Sequence, residues 1–211
     1  MSPFLPRDGH APDPTVPAQI RAYWEALRGT ASFPRRDQID PRGIAGALDQ
    51  TFLIERIAPG LARFRLAGMR LSDGMGMDLR GMPVSALIAP PDRDRFARAL
   101  EPVFATPSIL DARLRAERSP GRPARMARML VLPLGDRNGQ PVLALGCLAL
   151  ADADEGRGAP RRFAITALLR ETLAATRPTP VAPAFAEPAV PFPTPAPRAH
   201  LRLVHDATRT M

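Results

Sequence analysis

Val142-Leu143-Ala144-Leu145-Gly146-Cys147-Leu148-Ala149-Leu150 is almost entirely apolar and carries no charge. A half-exposed strand would alternate, and an amphipathic helix would show a polar face. This stretch does neither, so it reads as a strand covered on both sides, and hence as an inner strand of its sheet. Just upstream, Asp136-Arg137-Asn138-Gly139 is a hairpin signal, because Asn-Gly tolerates the positive φ of a tight turn. The partner strand is then roughly Arg125 to Leu134. Before it, Leu110, Ala112, Leu114 and Ala116 alternate with Asp111, Arg113, Arg115 and Glu117, which predicts a half-buried strand.

Further towards the N-terminus, Thr51–Ala58 is apolar and β-branched, Pro59-Gly60 supplies a turn, and Leu61–Ala67 continues. In that second strand Ala62, Phe64 and Leu66 alternate with Arg63 and Arg65. Residues 68–90 mix glycine with methionine and read as short, irregular helical turns. Pro91 opens a clear helix with Phe96, Leu100, Val103 and Phe104 on one face, bent or ended by Pro102. Near the start, Ile20, Tyr23, Trp24 and Leu27 form one apolar helical stripe, with Pro17 in the first turn and Gly29 at the stop. A second short helix begins after Asp40. The last pattern, Phe163 to Ala175, reads as a helix with Ile165, Leu168, Leu169 and Leu173 on one side; a strand over 161–166 competes for its start.

The expected fold is therefore α+β: a five-stranded, mainly antiparallel sheet with a helical crossover on one face. The helix around Trp24 is the expected cover for the other face. Eight prolines lie between Pro178 and Pro197, among alanine, valine and threonine, which predicts an extended linker. The expected organisation is a flexible start over 1–15, a domain over 16–176, a disordered Pro/Ala-rich linker over 177–198 and a terminal cassette over 199–211.

Composition removes many chemistries. In 211 residues there are 29 basic and 21 acidic side chains, and every basic one is arginine. Without lysine there is no P-loop, no protein-kinase ATP site and no Schiff base. His10, His200 and His205 lie near the ends, and Cys147 is the only cysteine, so triads, dyads and Cys/His zinc sites lack their parts. One cysteine makes no internal disulfide. The start has no apolar run, and the longest apolar stretch is about half of the ~20 residues a spanning helix needs. A cytoplasmic protein without membrane insertion is expected.

Several segments together resemble the PAS domain. Phe64-Arg65-Leu66-Ala67-Gly68 resembles the second PAS strand entering its helical region. Leu79-Arg80-Gly81 followed by Leu87-Ile88-Ala89-Pro90-Pro91-Asp92-Arg93 resembles the approach to the long PAS helix. Trp24, Leu27-Arg28, Pro34-Arg36 and Ile39-Asp40-Pro41 are similar to a compact, single-domain bacterial PAS family without assigned activity. The resemblance spans about residues 20–152. It implies a signalling module that binds a protein partner or a small ligand, and that can form a homodimer through its N-terminal helix. Two departures argue against cofactors. The Asn-Cys-Arg-Phe setting of covalent flavin binding is missing, and no histidine stands in the long helix to hold haem.

Four candidate sites follow. Phe52, Leu66, Met69, Met75, Met77, Leu87, Phe96, Leu114, Met129 and Cys147 would line a cavity between sheet and crossover, suited to a small apolar ligand. Ile20, Tyr23, Trp24 and Leu27 would form a partner face. Leu201 and Leu203 in the terminal cassette would add as an edge strand. Arg113, Arg115, Arg118, Arg122, Arg125 and Arg128 would meet phosphates from one hairpin, although no stacking aromatic lies nearby and nucleic acid is disfavoured. Gly74-x-Gly76 lacks a dinucleotide fingerprint's third glycine, and Asp92 and Asp94 read as charges at a helix start. No catalytic or metal-binding set emerges. The expectation is a non-catalytic sensor module, with a nucleic-acid or phosphate-binding regulator as the alternative.

Overall fold

The computed structural model describes residues 12–116, 125–150 and 162–173. Six strands form one antiparallel sheet: β1 (Thr51–Ala58), β2 (Leu61–Ala67), β3 (Ser108–Ala116), β4 (Arg125–Leu134), β5 (Leu143–Leu150) and β6 (Phe163–Thr172). Their order is β2-β1-β5-β4-β3-β6, so the apolar segment β5 lies inside, between β1 and β4. Helix α1 (Thr15–Arg28) lies before the sheet in sequence, and a 3-10 segment over Pro41–Gln50 follows it. The crossover from β2 to β3 contains α2 (Met69–Met75), a 3-10 turn over Val84–Leu87 and α3 (Arg93–Ala105).

The sheet separates two apolar layers. On the inner face, Phe52, Phe64, Leu114, Met129 and Ile165 pack under the crossover residues Met75, Leu87, Phe96 and Leu100. The Phe52 and Phe64 rings meet edge to face, with centroids 5.4 Å apart. On the outer face, Ile109, Leu130, Leu132, Leu145 and Cys147 pack under Ile20, Trp24, Ile44 and Ala47. Helix α1 is too short to persist alone in water. It is held to the sheet by the buried Trp24, whose Nε1–H donates to the Pro133 carbonyl at 2.9 Å. Gly29 ends it at φ 53°, as its position suggested.

The sixth strand corrects the five-stranded expectation and the helix read over 163–175, and agrees with the competing strand over 161–166, which it extends to Thr172. Thr166 is an extra residue in β6, since Arg113 pairs with Ala167 and Leu114 with Ile165. The bulge changes the parity of the strand, so inward-facing Ile165 and Leu168 stand three apart and imitate a helical stripe. Crossover groups also satisfy the outer edge of β6 at its start. Ile165 N–H donates to Asp92 Oδ2 at 2.8 Å, Ala89 N–H to the Phe163 carbonyl at 2.9 Å, and Arg95 Nη1–H to the Ile165 carbonyl at 3.1 Å. Asp92 thus fastens a strand as well as standing at a helix start. Pro102 sits in the last turn of α3, which ends at Ala105.

The expected boundaries at 177–198 and 199–211, with Leu201 and Leu203, lie outside the described residues, as does most of 1–15.

Candidate functional site

A second bulge decides where the apolar side chains of β2 go. Leu53 pairs with Leu66 and Ile54 with Phe64, so Arg65 is the extra residue. Ala62 and Phe64 face inward, and past the bulge Ala67 takes the inward position. Leu66 is turned to the outer face, where it is 54% exposed. It continues a row across the sheet, Leu66–Leu53–Leu145, which is half-buried at Leu53 and buried at Leu145.

That row floors a groove of about 520 Å³. One wall is the 3-10 segment over Pro41–Gln50, through Ile44, Ala45 and Leu48. Met69 closes one part of the rim, and Arg36 and Ile39 belong to another stretch of chain. Leu48 and Met69 are 44% and 74% exposed, so three of the large exposed apolar side chains gather here. The wall is fixed at both ends. Asp40 N–H donates to the Tyr23 hydroxyl at 2.8 Å, and that hydroxyl donates to the Asp40 carbonyl at 3.0 Å. Gly68 N–H donates to the Thr51 carbonyl at 2.8 Å. At Gly68 a side chain would strike the backbone of Leu48 and Asp49, so only glycine permits this approach.

The cavity set read from the sequence divides four ways. Phe52, Met75, Leu87, Phe96, Leu114 and Met129 do meet, on the inner face. Leu66 and Met69 belong to the outer groove instead, and Met77 is 38% exposed in the crossover. Cys147 faces the opposite layer, beneath α1, because it follows Gly146 by one residue on a strand with two-residue alternation. Its burial pushes the thiol up to about 12 from an ordinary value of 9.0, with a backbone hydrogen bond from Leu130 acting the other way. Iodoacetamide labelling at pH 8 is therefore expected to track unfolding. The folded chain holds roughly a thousandfold less thiolate than the unfolded chain at that pH. Labelling as fast as in urea would refute this. By the same linkage, between about pH 9 and 12 the unfolded chain has lost the thiol proton that the folded chain keeps, so stability falls as pH rises through that window.

The partner face is corrected in part. Ile20 and Trp24 are buried against the chain's own sheet, since a short helix gains stability only by covering its stripe. Tyr23 and Leu27 are half-buried. In the arginine hairpin, Arg113 and Arg115 are exposed on the outer face. Arg128 is committed to Asp111, with Nε at 3.0 Å from Oδ1 and Nη2 at 2.6 Å from Oδ2. Arg125 starts β4 half-buried, and Arg118 and Arg122 lie outside the described residues. Among the described residues no group of three His, Cys, Asp or Glu could hold a metal ion. The described residues contain no histidine, and the thiol of Cys147 lies in the outer layer, on the other side of the sheet from the crossover. The described residues therefore supply neither a cysteine at the crossover for covalent flavin attachment nor a histidine for haem.

One sheet, a helical crossover packed on its inner face and an N-terminal helix on its outer face define a small α+β domain with two apolar layers. Residues 13–149 match the PAS domain family, and the chain belongs to it. PAS domains are sensor modules of signal transduction, and this chain is of that class. Among solved structures it is similar to the light state of the blue-light photoreceptor Aureochrome1 LOV, at 14% identity and a TM-score of 0.37, covering 54% of this chain and 89% of that one. It is also similar to a light-oxygen-voltage domain studied with a flavin analogue, at 14% identity and a TM-score of 0.38, covering 54% and 84%. A third is a sensory box histidine kinase/response regulator from Burkholderia thailandensis E264, at 18% identity and a TM-score of 0.34, covering 53% and 84%. At these values the likenesses add nothing to the family assignment. No curated protein matches the chain. Among the described residues no helix is long and apolar enough to cross a membrane.

Proposed function

We propose that this chain is a non-catalytic sensor whose input is an apolar ligand in the outer groove. The observation that carries the reading is the leucine row Leu66–Leu53–Leu145, exposed at Leu66 and half-buried at Leu53, beside a wall of Ile44 and Leu48. Its volume of about 520 Å³ is that of small-molecule sites, which run from roughly 300 to 1,000 Å³. The polar groups on it are few and are not arranged for reaction. The Thr51 hydroxyl donates to the Ala47 carbonyl at 2.7 Å, and Asp49 faces Arg70 at 3.7 Å. Neither pairs a nucleophile with a base. A ligand would bridge the sheet and the 41–50 segment, which Tyr23 joins to α1, so occupancy would be felt at the helix. A protein partner would then read the change, because a ligand shifts an equilibrium by its differential affinity for two states.

Thermal melting of the full chain with 1-decanol checks this. At a hundred times its dissociation constant a ligand stabilises by about 2.7 kcal/mol, roughly 5–10 °C for a domain of this size. The double variant Leu66→Gln/Met69→Gln is expected to weaken binding roughly tenfold, since it replaces two apolar contacts of the groove with polar ones. Equal midpoints with and without the alcohol, or equal affinity in the variant, would sink the reading.

A further inference from the structure

We propose that the ligand of the outer groove is an amphiphilic carboxylate, with its aliphatic chain along the leucine row and its head group on the guanidinium of Arg36. The proposal rests on the groove reading above and adds the chemical class of the ligand. Arg36 is the one cation among the residues that line the groove. It is half-buried, and its guanidinium makes no hydrogen bond or ion pair among the described residues. Its backbone is pinned from both directions: Arg36 N–H donates to the Gly135 carbonyl at 2.8 Å, and its own carbonyl accepts from Ile39 N–H at 3.2 Å. The side chain therefore starts from a fixed point beside the β4–β5 turn.

Arg63, Arg65 and Arg70 are already occupied, and Arg42 is exposed outside the groove lining. Arg63 Nη2 and Arg65 Nη2 bond Glu55 at 2.9 and 2.8 Å, and Arg70 Nε stands 3.7 Å from Asp49. Asp49 is the one acid on the groove lining, and Arg70 offsets its charge. Arg36 is thus left as the uncompensated charge on a mainly apolar lining. A neutral ligand would leave it so, and a cationic one would be repelled. A carboxylate offers two oxygens in the plane that a guanidinium's parallel N–H groups match. The aliphatic chain supplies non-directional burial over Leu53, Leu66 and Leu145, and the head group fixes which way the molecule lies.

Calorimetric titration of the full chain with decanoate and with 1-decanol, both below their aggregation limits, tests the proposal. Decanoate should bind roughly tenfold tighter than the alcohol, as one charge-assisted hydrogen-bonded pair at a half-exposed site would give. Arg36→Gln should remove that preference and leave the affinity for the alcohol unchanged. Leu66→Gln should weaken both ligands by the same factor. Both side chains are partly exposed, so the thermal midpoints of the unliganded variants should match that of the wild type. Equal affinities for the two ligands in the wild type, or a decanoate preference that survives Arg36→Gln, would overturn the carboxylate assignment and leave the groove reading standing. If neither amphiphile binds, both fall.

Discussion

Trp24→Ala is expected to destabilise the domain by about 3–5 kcal/mol, the usual cost of emptying a buried indole site. Trp24 is fully buried, and its neighbours in the outer layer include Ile20, Ile44, Leu132 and Leu145. Two further contacts are lost with it. Its Nε1–H donates to the Pro133 carbonyl at 2.9 Å, and the Arg28 guanidinium lies 5.4 Å from its ring centroid. Urea denaturation measures the loss directly. Trp24→Phe keeps most of the apolar volume and removes the hydrogen bond, and should cost about 1–3 kcal/mol. A loss below about 1 kcal/mol for the alanine variant would mean that α1 does not pack as described. The effect should also be independent of protein concentration, because the stripe is covered by the chain's own sheet. A concentration-dependent loss would place a second copy on this face.

Gly146→Ala is expected to cost about 3 kcal/mol, at the upper end of overpacking effects. A methyl group there would run into the Phe52 ring and stand 2.7 Å from the Leu130 carbonyl oxygen. Neither can retreat. The Phe52 ring is held against Phe64, and the Leu130 carbonyl belongs to an inner strand. In a Phe52→Leu background the same change should cost only about 1 kcal/mol, since the ring is gone and the carbonyl contact remains. Urea unfolding of the four proteins gives the coupling. Additive losses would show that the ring is not what excludes a side chain at 146.

Most of the fold could be read from local pattern. The bounds of β1, β2 and β4 follow from composition and turn residues, and alternation marks β2 and β3 from Leu110 onwards, because a strand with one buried face repeats every second residue. The interior position of β5 follows from its lack of any polar face. Helix α1 is marked by Pro17, the stripe from Ile20 to Leu27 and Gly29. The candidate site was far less legible. Sequence pattern marks Leu66 and Met69 as cavity-lining but places them on the inner face, and it gives no sign that Ile44, Leu48, Leu53 and Arg36 line a groove. A short irregular segment such as Pro41–Gln50 gives little sign of what it will face.

By itself, then, the chain specified which residues are strand-forming and which segment must be sheltered on both sides, since those properties depend on neighbours two to four positions away. Tertiary structure alone decided which face Leu66 looks towards, and whether Phe163–Thr172 is helix or strand. Both turn on single bulged residues, Arg65 and Thr166, and a bulge is a property of two paired strands in register. Neither partner's sequence carries that register, because it is fixed only when the whole sheet closes on its two apolar layers.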